Sequence, residues 1–345
     1  MTTKEIRAAN LGDPELCRAY ATCETFLRRN FVKHYFLLRQ LLPPGRRPYW
    51  DAILAFSIHV DNLIDDARVP APERIARYDA YARDFFALLD GDAPWTGPPS
   101  SHQDRLGRTF ARAFAHFSRV WEIPRSSVQL AMTNITADLR VTEYASFPDL
   151  ERHIRSTGGE HNLLLNALLG SRAQHSEEAR EHAVSALLGL QLTDNLRDLR
   201  EDLADGRLFL PLDDLKAFGL DRAELEAAAR DRRMTDGLRD LVRFEAERAR
   251  GYLDRAADWW RWADADAREL PRQYVSMARY VLRQVPHSRH DVFHTPALRG
   301  RLACVTAAGA GLALGYARRA ATRRFTSPSG NTADHTHALK GSRPT

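Results

Sequence analysis

The sequence predicts an all-α protein built as a single domain, and three observations carry that expectation. Apolar residues recur at helical spacing along most of the chain; Leu192, Leu196, Leu199 and Leu203 follow an i, i+4, i+7, i+11 pattern. Strand signals are poor, while Ala, Leu, Arg, Asp and Glu dominate. Pro and Gly cluster between the periodic stretches, as at Pro43-Pro44-Gly45 and from Gly91 to Ser101. A hydrophobic content of 44% beside 28% charged residues is that of a soluble globular chain, and 345 residues suffice for one large helical domain.

Taken in order, Met1 to Gly12 is polar, carries acids and is no signal peptide. It reads as a disordered tail, as does 324–345 with its Ser, Thr, Pro, His and Gly, which leaves 13–323 as the domain. A first long helix is expected over 14–42, stopped by Pro43-Pro44-Gly45, and a second over 48–66, its end marked by Pro70 and Pro72. Helices follow over 73–90, 103–120, 125–145 and 148–170. The helix over 176–205 ends at Gly206, with Pro211 a few residues beyond. Leu210 to Gly219 is a loop with one helical turn. Residues 221–262 give two charged amphipathic helices, with Trp259, Trp260 and Trp262 packing one end of the second. The helix over 267–284 turns Met277, Tyr280 and Val281 inward. Leu302 to Ala317 is Ala- and Gly-rich and shorter than the ~20 residues a spanning helix needs, so it reads as a last packed helix.

Composition excludes several functions. The net charge is +5, but the basic residues are scattered among acids with no compact Lys/Arg block, which argues against nucleic acid. A basic rim around an anionic substrate explains the excess. Three cysteines, Cys17, Cys23 and Cys304, share no ligand-like spacing with histidines; they fit a reducing cytoplasm rather than a disulfide framework.

Two acidic clusters carry chemistry. Gln191, Asp194, Asp198, Asp202 and Asp205 line one side of the 176–205 helix, opposite its leucine stripe. Like charges one turn apart destabilise a helix by roughly 0.2–0.5 kcal/mol per pair, so a cation must compensate them. Arg197, Arg200 and Arg207 would do so on a solvated face; Mg²⁺, which prefers hard oxygen ligands plus substrate phosphates, is the alternative. The second cluster, Asp61-Asn62-Leu63-Ile64-Asp65-Asp66, also sets two carboxylates one turn apart, at the end of the apolar run Ile53 to Val60. Two such helices face to face would hold Mg²⁺ and a diphosphate, while apolar walls keep water from a carbocation.

The motifs DNLIDD and DNLRDLREDLADGRLFLP resemble those of the squalene/phytoene synthase family. Tyr35 to Pro44 is similar to the family's N-terminal helix and Leu-Pro-Pro turn, and Asp138-Leu139 through Gly158-Gly159 to its central segment; the resemblance covers roughly residues 30–285. It implies an isoprenoid synthase fold, a helical bundle around a central cavity, with Asp61, Asp65, Asp198 and Asp202 as Mg²⁺ ligands and an allylic prenyl diphosphate as substrate. It also implies Lys33 near the diphosphate, unless Lys33 and His34 are an exposed pair. Gln191, Asp194, Arg197 and Arg207 belong to the second motif, and Arg279 and Tyr280 lie where the family places Arg and aromatic pocket residues.

The chain departs from that pattern at several places. Head-to-head synthases usually carry Arg three residues before the first Asp; here it is Ile58. The family's central Tyr becomes Arg155, and the small residues after the glycines become Glu160-His161-Asn162. The usual Asn of the second motif is Asp194. An Arg-to-Ile change removes a charge-assisted phosphate contact. Glu160 and His161 add a possible general base, a role a hydrocarbon second substrate does not need, although His161 also reads as a hydrogen-bonded core histidine. The preferred reading is a prenyltransferase that ionises one prenyl diphosphate and passes it to an aromatic, carbazole-like acceptor in bacterial secondary metabolism. The alternatives are head-to-head squalene, presqualene diphosphate or phytoene synthesis, a terpene cyclase, and a non-catalytic binding relative; the four complete aspartates speak against the last.

Overall fold

The computed structural model describes residues 1–30, 38–65, 68–95, 97–133, 141–293, 313 and 315–318. Every regular element among them is a helix. The first half contributes α1 (Thr3–Ala8), α2 (Pro14–Asn30), α3 (Arg47–Asp65), α4 (Ala71–Asp90), α5 (His102–Val120) and α6 (Arg125–Thr133). The second half begins with α7 (Phe147–Ile154), passes through a π-helical turn (Arg155–Gly159), and continues into α8 (Glu160–Ala167), α9 (Ser171–Gln174), α10 (Glu177–Arg197) and α11 (Leu199–Ala204). It closes with α12 (Leu212–Ala217), α13 (Arg222–Asp231), α14 (Asp236–Arg255), a 3₁₀ turn (Ala256–Arg261), α15 (Glu269–Leu282) and α16 (Gln284–His287).

Two hydrophobic cores share α10 and α15, the latter giving Leu270 and Val275 to the first and Ala278 and Leu282 to the second. In the first, α3 packs against α2 and α5, with Phe56 stacked on Phe114 at 4.2 Å. The second lies among α10 to α15. Ala179, Ala183 and Ala186 of α10 belong to the first core, and Leu188, Leu192 and Leu196 to the second. Along α14 the contact is close and antiparallel. A Cβ on Gly189 would stand 2.5 Å from Leu253 Cγ, so only glycine lets the two helices approach there. Trp259 seals the end of the bundle, buried, its indole N–H donating to Asn166 Oδ1 at 2.8 Å.

Three expectations change. Residues 1–12 are no disordered tail over α1. Thr2 and Glu5 form a capping box there, and buried Glu5 accepts from Arg39 at 2.8 Å, while Arg39 also pairs with Asp51 at 2.8 Å. Burial pushes the Glu5 carboxyl up, but the hydrogen bonds from Arg39, Thr2 and Arg47 outweigh it and hold the group at about 2. The helix expected to run through 145 does not reach it. Residues 141–144 are non-helical, because their carbonyls serve another partner: Thr142 accepts from the Leu208 N–H at 2.7 Å and Tyr144 from the Leu212 N–H at 2.9 Å. The helix expected over 148–170 is interrupted by the π turn, which ends at Gly158-Gly159.

No helix among the described residues is long and apolar enough to cross a membrane. Residues 324–345, like most of 302–317, lie outside the described residues.

Candidate functional site

α3 is amphipathic in a way that leaves one acidic end. Ile53, Phe56, Val60 and Ile64 are buried, while Leu54, Ser57 and Ile58 are half-buried and Asp61 is exposed. Leu54, Ile58 and Asp61 stand at i, i+4 and i+7, so one face leads from apolar wall to carboxylate. The Ser57 hydroxyl on that face is buried without a hydrogen-bond partner among the described residues. Asp65 is the last residue of α3; its side chain lies outside the description.

The first motif is braced from α4. Arg74 donates to the Ile64 carbonyl, and Tyr78, one turn on, lies within the field of Asp61. Sequence reasoning missed Arg74. Its signal was an arginine in the first turn of the helix that follows the motif, just past Pro70 and Pro72.

The second motif is not one helix. α10 ends at Arg197, and Asp198 sits between it and α11 with φ −97° and ψ 3°. The break is local. The Asp198 N–H still donates to Asp194 O at 2.8 Å, and the Asp202 N–H donates to Asp198 O at 2.9 Å. The leucine stripe survives it, since Leu192, Leu196, Leu199 and Leu203 are all buried. Gly206, with φ +77°, then turns the chain away.

Charge is crowded at this break. Burial raises the Asp202 carboxyl to about 6; Asp198, Asp205 and Glu201 push the same way and Arg207 opposes them. Asp194 is raised too, by burial and by Asp198, against its 2.8 Å ion pair with Arg197. Arg207 lies 3.7 Å from Asp202 and 3.4 Å from Asp205, and its Nε is buried without a partner among the described residues. Gln191, exposed one turn earlier, donates to Asn195 Oδ1 at 3.1 Å. The loop behind the motif is tied down: Arg222 donates to the Gly206 carbonyl at 2.9 Å and pairs with Glu143 at 2.7 Å, and Phe209 stacks on Tyr144 at 6.1 Å.

α8 packs on both α3 and α10, so Glu160 and His161 open the helix that lies against both acidic helices. Their side chains lie outside the description, and Lys33 lies outside the described residues altogether. Half-buried Leu187 and Leu190 continue the acidic side of α10 toward its N-terminus. On α15, Tyr280 is half-buried with Met277 and Val281.

Two expected substrate contacts are placed elsewhere. Arg155 pairs with Glu151 at 2.9 Å and with Glu181 at 3.3 Å in a cleft of about 450 Å³ lined also by His182 and Tyr252. Glu181 precedes Asp198 by nearly five helical turns, roughly 25 Å along the axis, beyond the reach of an arginine. Arg279 pairs with Asp254 of α14 at 2.6 Å and donates to the Leu253 carbonyl at 3.3 Å. Both arginines are engaged by carboxylates of the bundle. The structure thus brings Asp194, Asp198, Asp202 and Arg207 together and holds Asp61 on a neighbour of α8, with Arg155 engaged by Glu151 and Glu181 and Arg279 by Asp254.

A family model described as squalene/phytoene synthase matches residues 29–306. The 15-cis-phytoene synthase of Synechocystis is 25% identical over 287 residues, covering 80% of this chain and 79% of that protein. The bifunctional protein CrtB/UppS of Streptomyces coelicolor is 29% identical over 245 residues, 70% of this chain and 39% of that one. Among solved structures, squalene synthase HpnC from Alicyclobacillus acidocaldarius matches with a TM-score of 0.70 at 21% identity, covering 82% of this chain and 99% of that chain. A dehydrosqualene synthase matches at 0.68 and 20%, covering 87% and 98%. The structural likeness shows the fold, that of the squalene-synthase-type isoprenoid synthases.

Proposed function

The chain belongs to the squalene/phytoene synthase family, and on that premise we propose that it ionises one allylic prenyl diphosphate and transfers the prenyl group to a non-isoprenoid, aromatic acceptor in bacterial secondary metabolism. Members of the family are prenyltransferases, and this chain is an isoprenoid enzyme of that type. What carries the finer reading is Ile58. It stands half-buried one turn before Asp61, where head-to-head synthases usually have an arginine, and it adds apolar wall where a second diphosphate would need a cation.

Family members generally use a divalent metal, and the residues present suit one. Asp198 and Asp202 are hard oxygen donors, and burial with the charge of Asp198 raises the Asp202 carboxyl, so a cation beside them relieves that repulsion. Asp61, Asp65, Asp198 and Asp202 would hold Mg²⁺, which when bound neutralises the leaving diphosphate. The chain's own groups supply the rest. Arg207, its guanidinium partly exposed beside Asp202, donates to a diphosphate oxygen. Leu54, Ile58, Leu187 and Leu190 exclude water from the cation. Glu160 or His161 takes the proton lost as the acceptor ring regains aromaticity.

The curated names favour a second reading, head-to-head coupling, since the relatives are phytoene synthases. The separating experiment is incubation with Mg²⁺ and farnesyl or dimethylallyl diphosphate, with and without a carbazole, followed by mass analysis. The proposal expects a prenylated acceptor and no C30 or C40 hydrocarbon, even with a reductant. Efficient squalene, presqualene or phytoene-type product would establish the second reading instead.

A further inference from the structure

The apolar face that descends from Asp61 ends on charge. Asp51, Leu54, Ile58 and Asp61 stand at i, i+3, i+7 and i+10 of α3, so all four share one face. Leu54 and Ile58 are half-buried between exposed Asp61 at one end and Asp51, 1% exposed, at the other. Both Asp51 carboxylate oxygens accept from Arg39 Nε, at 2.8 Å and 2.9 Å. The same guanidinium donates through Nη1 to Glu5 of α1 at 2.8 Å, and Arg47 donates to Glu5 at 3.4 Å. Arg39 and Glu5 are 2% and 3% exposed.

Packing alone does not call for this cluster. Ionised groups taken out of water lose hydration that their mutual attraction only roughly offsets, and apolar side chains of similar volume stabilise such a place as well or better. What the charges add is a firm boundary. An aliphatic side chain under a hydrocarbon tail can change rotamer and let the tail past. Arg39 cannot move without leaving the buried Asp51 carboxylate unpaired. Arg47 is itself anchored to the Leu42 and Gln40 carbonyls at 3.0 Å and 3.1 Å, so the cluster is fixed from behind.

We propose that Glu5, Arg39 and Asp51 form a polar floor that sets the longest prenyl chain the protein accepts, and that the limit falls at three isoprene units. On the prenyl-diphosphate reading, on which this limit rests, the diphosphate lies at Asp61 and the tail along Ile58 and Leu54. Asp51 lies ten residues before Asp61, about 15 Å along the helix axis. An extended isoprene unit spans about 5 Å at ordinary bond lengths. A farnesyl chain therefore ends against the floor, and the fourth unit of a geranylgeranyl chain has to displace it.

Calorimetric titration of the full chain with unreactive thiodiphosphates of one to four isoprene units, with Mg²⁺ present, reads the limit without turnover. Affinity should rise from dimethylallyl to farnesyl as each unit buries apolar surface, then fall more than about ten-fold at geranylgeranyl. Arg39→Ala/Asp51→Ala leaves Glu5 with Arg47 and opens the floor. Geranylgeranyl should then bind at least as tightly as farnesyl, in a variant whose helical circular dichroism matches wild type. Leu54→Trp, about 10 Å from Asp61 along α3, should move the drop one unit shorter, between geranyl and farnesyl, and decides the matter where the double variant does not fold. Geranylgeranyl binding as tight as farnesyl in wild type, or a profile unmoved by a folded variant of either kind, would overturn the floor and leave the prenyl-diphosphate reading intact. Binding of no chain length would overturn that reading, and the floor with it.

Discussion

The two acidic motifs solve one problem with different backbones. The first ends an unbroken amphipathic helix, α3, with Asp61 exposed and a brace from Arg74 behind it. The second straddles a break at Asp198, and its Asp202 is half-buried and proton-hungry. Each region is also burdened with a group of opposite sign. Behind the first motif, burial lowers His59 to about 4, so the packed helix requires a neutral imidazole. At the second, burial and neighbouring carboxylates favour a protonated acid. The second motif therefore stands to gain more from a bound cation.

The largest expected effect is catalytic and common to both. Asp61→Asn and Asp198→Asn should each lower turnover roughly 100- to 1000-fold while the helical circular dichroism is unchanged. Near-normal turnover in either would remove that motif from the site.

Stability should then separate the two regions by the sign of its pH dependence. His59 stays neutral in the folded state while the unfolded chain, with an ordinary imidazole, takes up a proton; stability is therefore lost as pH falls from about 6.5 to 4, by about 3 kcal/mol over that window. His59→Gln should flatten that slope in urea unfolding. Asp202 runs the other way. Its folded value of about 6 exceeds the ordinary carboxyl value, so its contribution is complete below about pH 4 and is lost as pH rises through 6. Without added metal, Asp202→Asn should accordingly be more stable than wild type at pH 8 and no more stable at pH 4, although inactive. The same pH slope in both variants would contradict the contrast.

The smallest effect is expected at the two displaced arginines. Arg155→Gln and Arg279→Gln should change kcat/KM by less than about two-fold, since Glu151, Glu181 and Asp254 engage them away from the acidic break. A ten-fold loss in kcat/KM would return either one to the substrate.

Much of the helical framework was legible from spacing and punctuation. Prolines and apolar period place 48–66 and 73–90 within two residues of α3 and α4, because both helices bury one clear stripe. The leucine stripe of the second motif was equally readable. Its break was not, since no Gly or Pro marks Asp198 and a single non-helical residue leaves the period intact. α1 had a readable sign in Thr2-x-x-Glu5, but its stability comes from ion pairs with Arg39 and Arg47, which only the folded chain assembles. Arg155 shows the same limit at the site. Position along a motif said nothing of the side chain's direction, which was settled by carboxylates on α7 and on α10.

The central claim is that the two acidic motifs serve one diphosphate rather than two, and calorimetric titration with an unreactive farnesyl thiodiphosphate in the presence of Mg²⁺ counts them directly. One site per chain, lost in Asp198→Asn and unaffected by Arg155→Gln, is the result expected from Ile58 and from the engagement of Arg155 by Glu151 and Glu181. Two sites per chain, filled in succession, would contradict it and make the chain a head-to-head synthase.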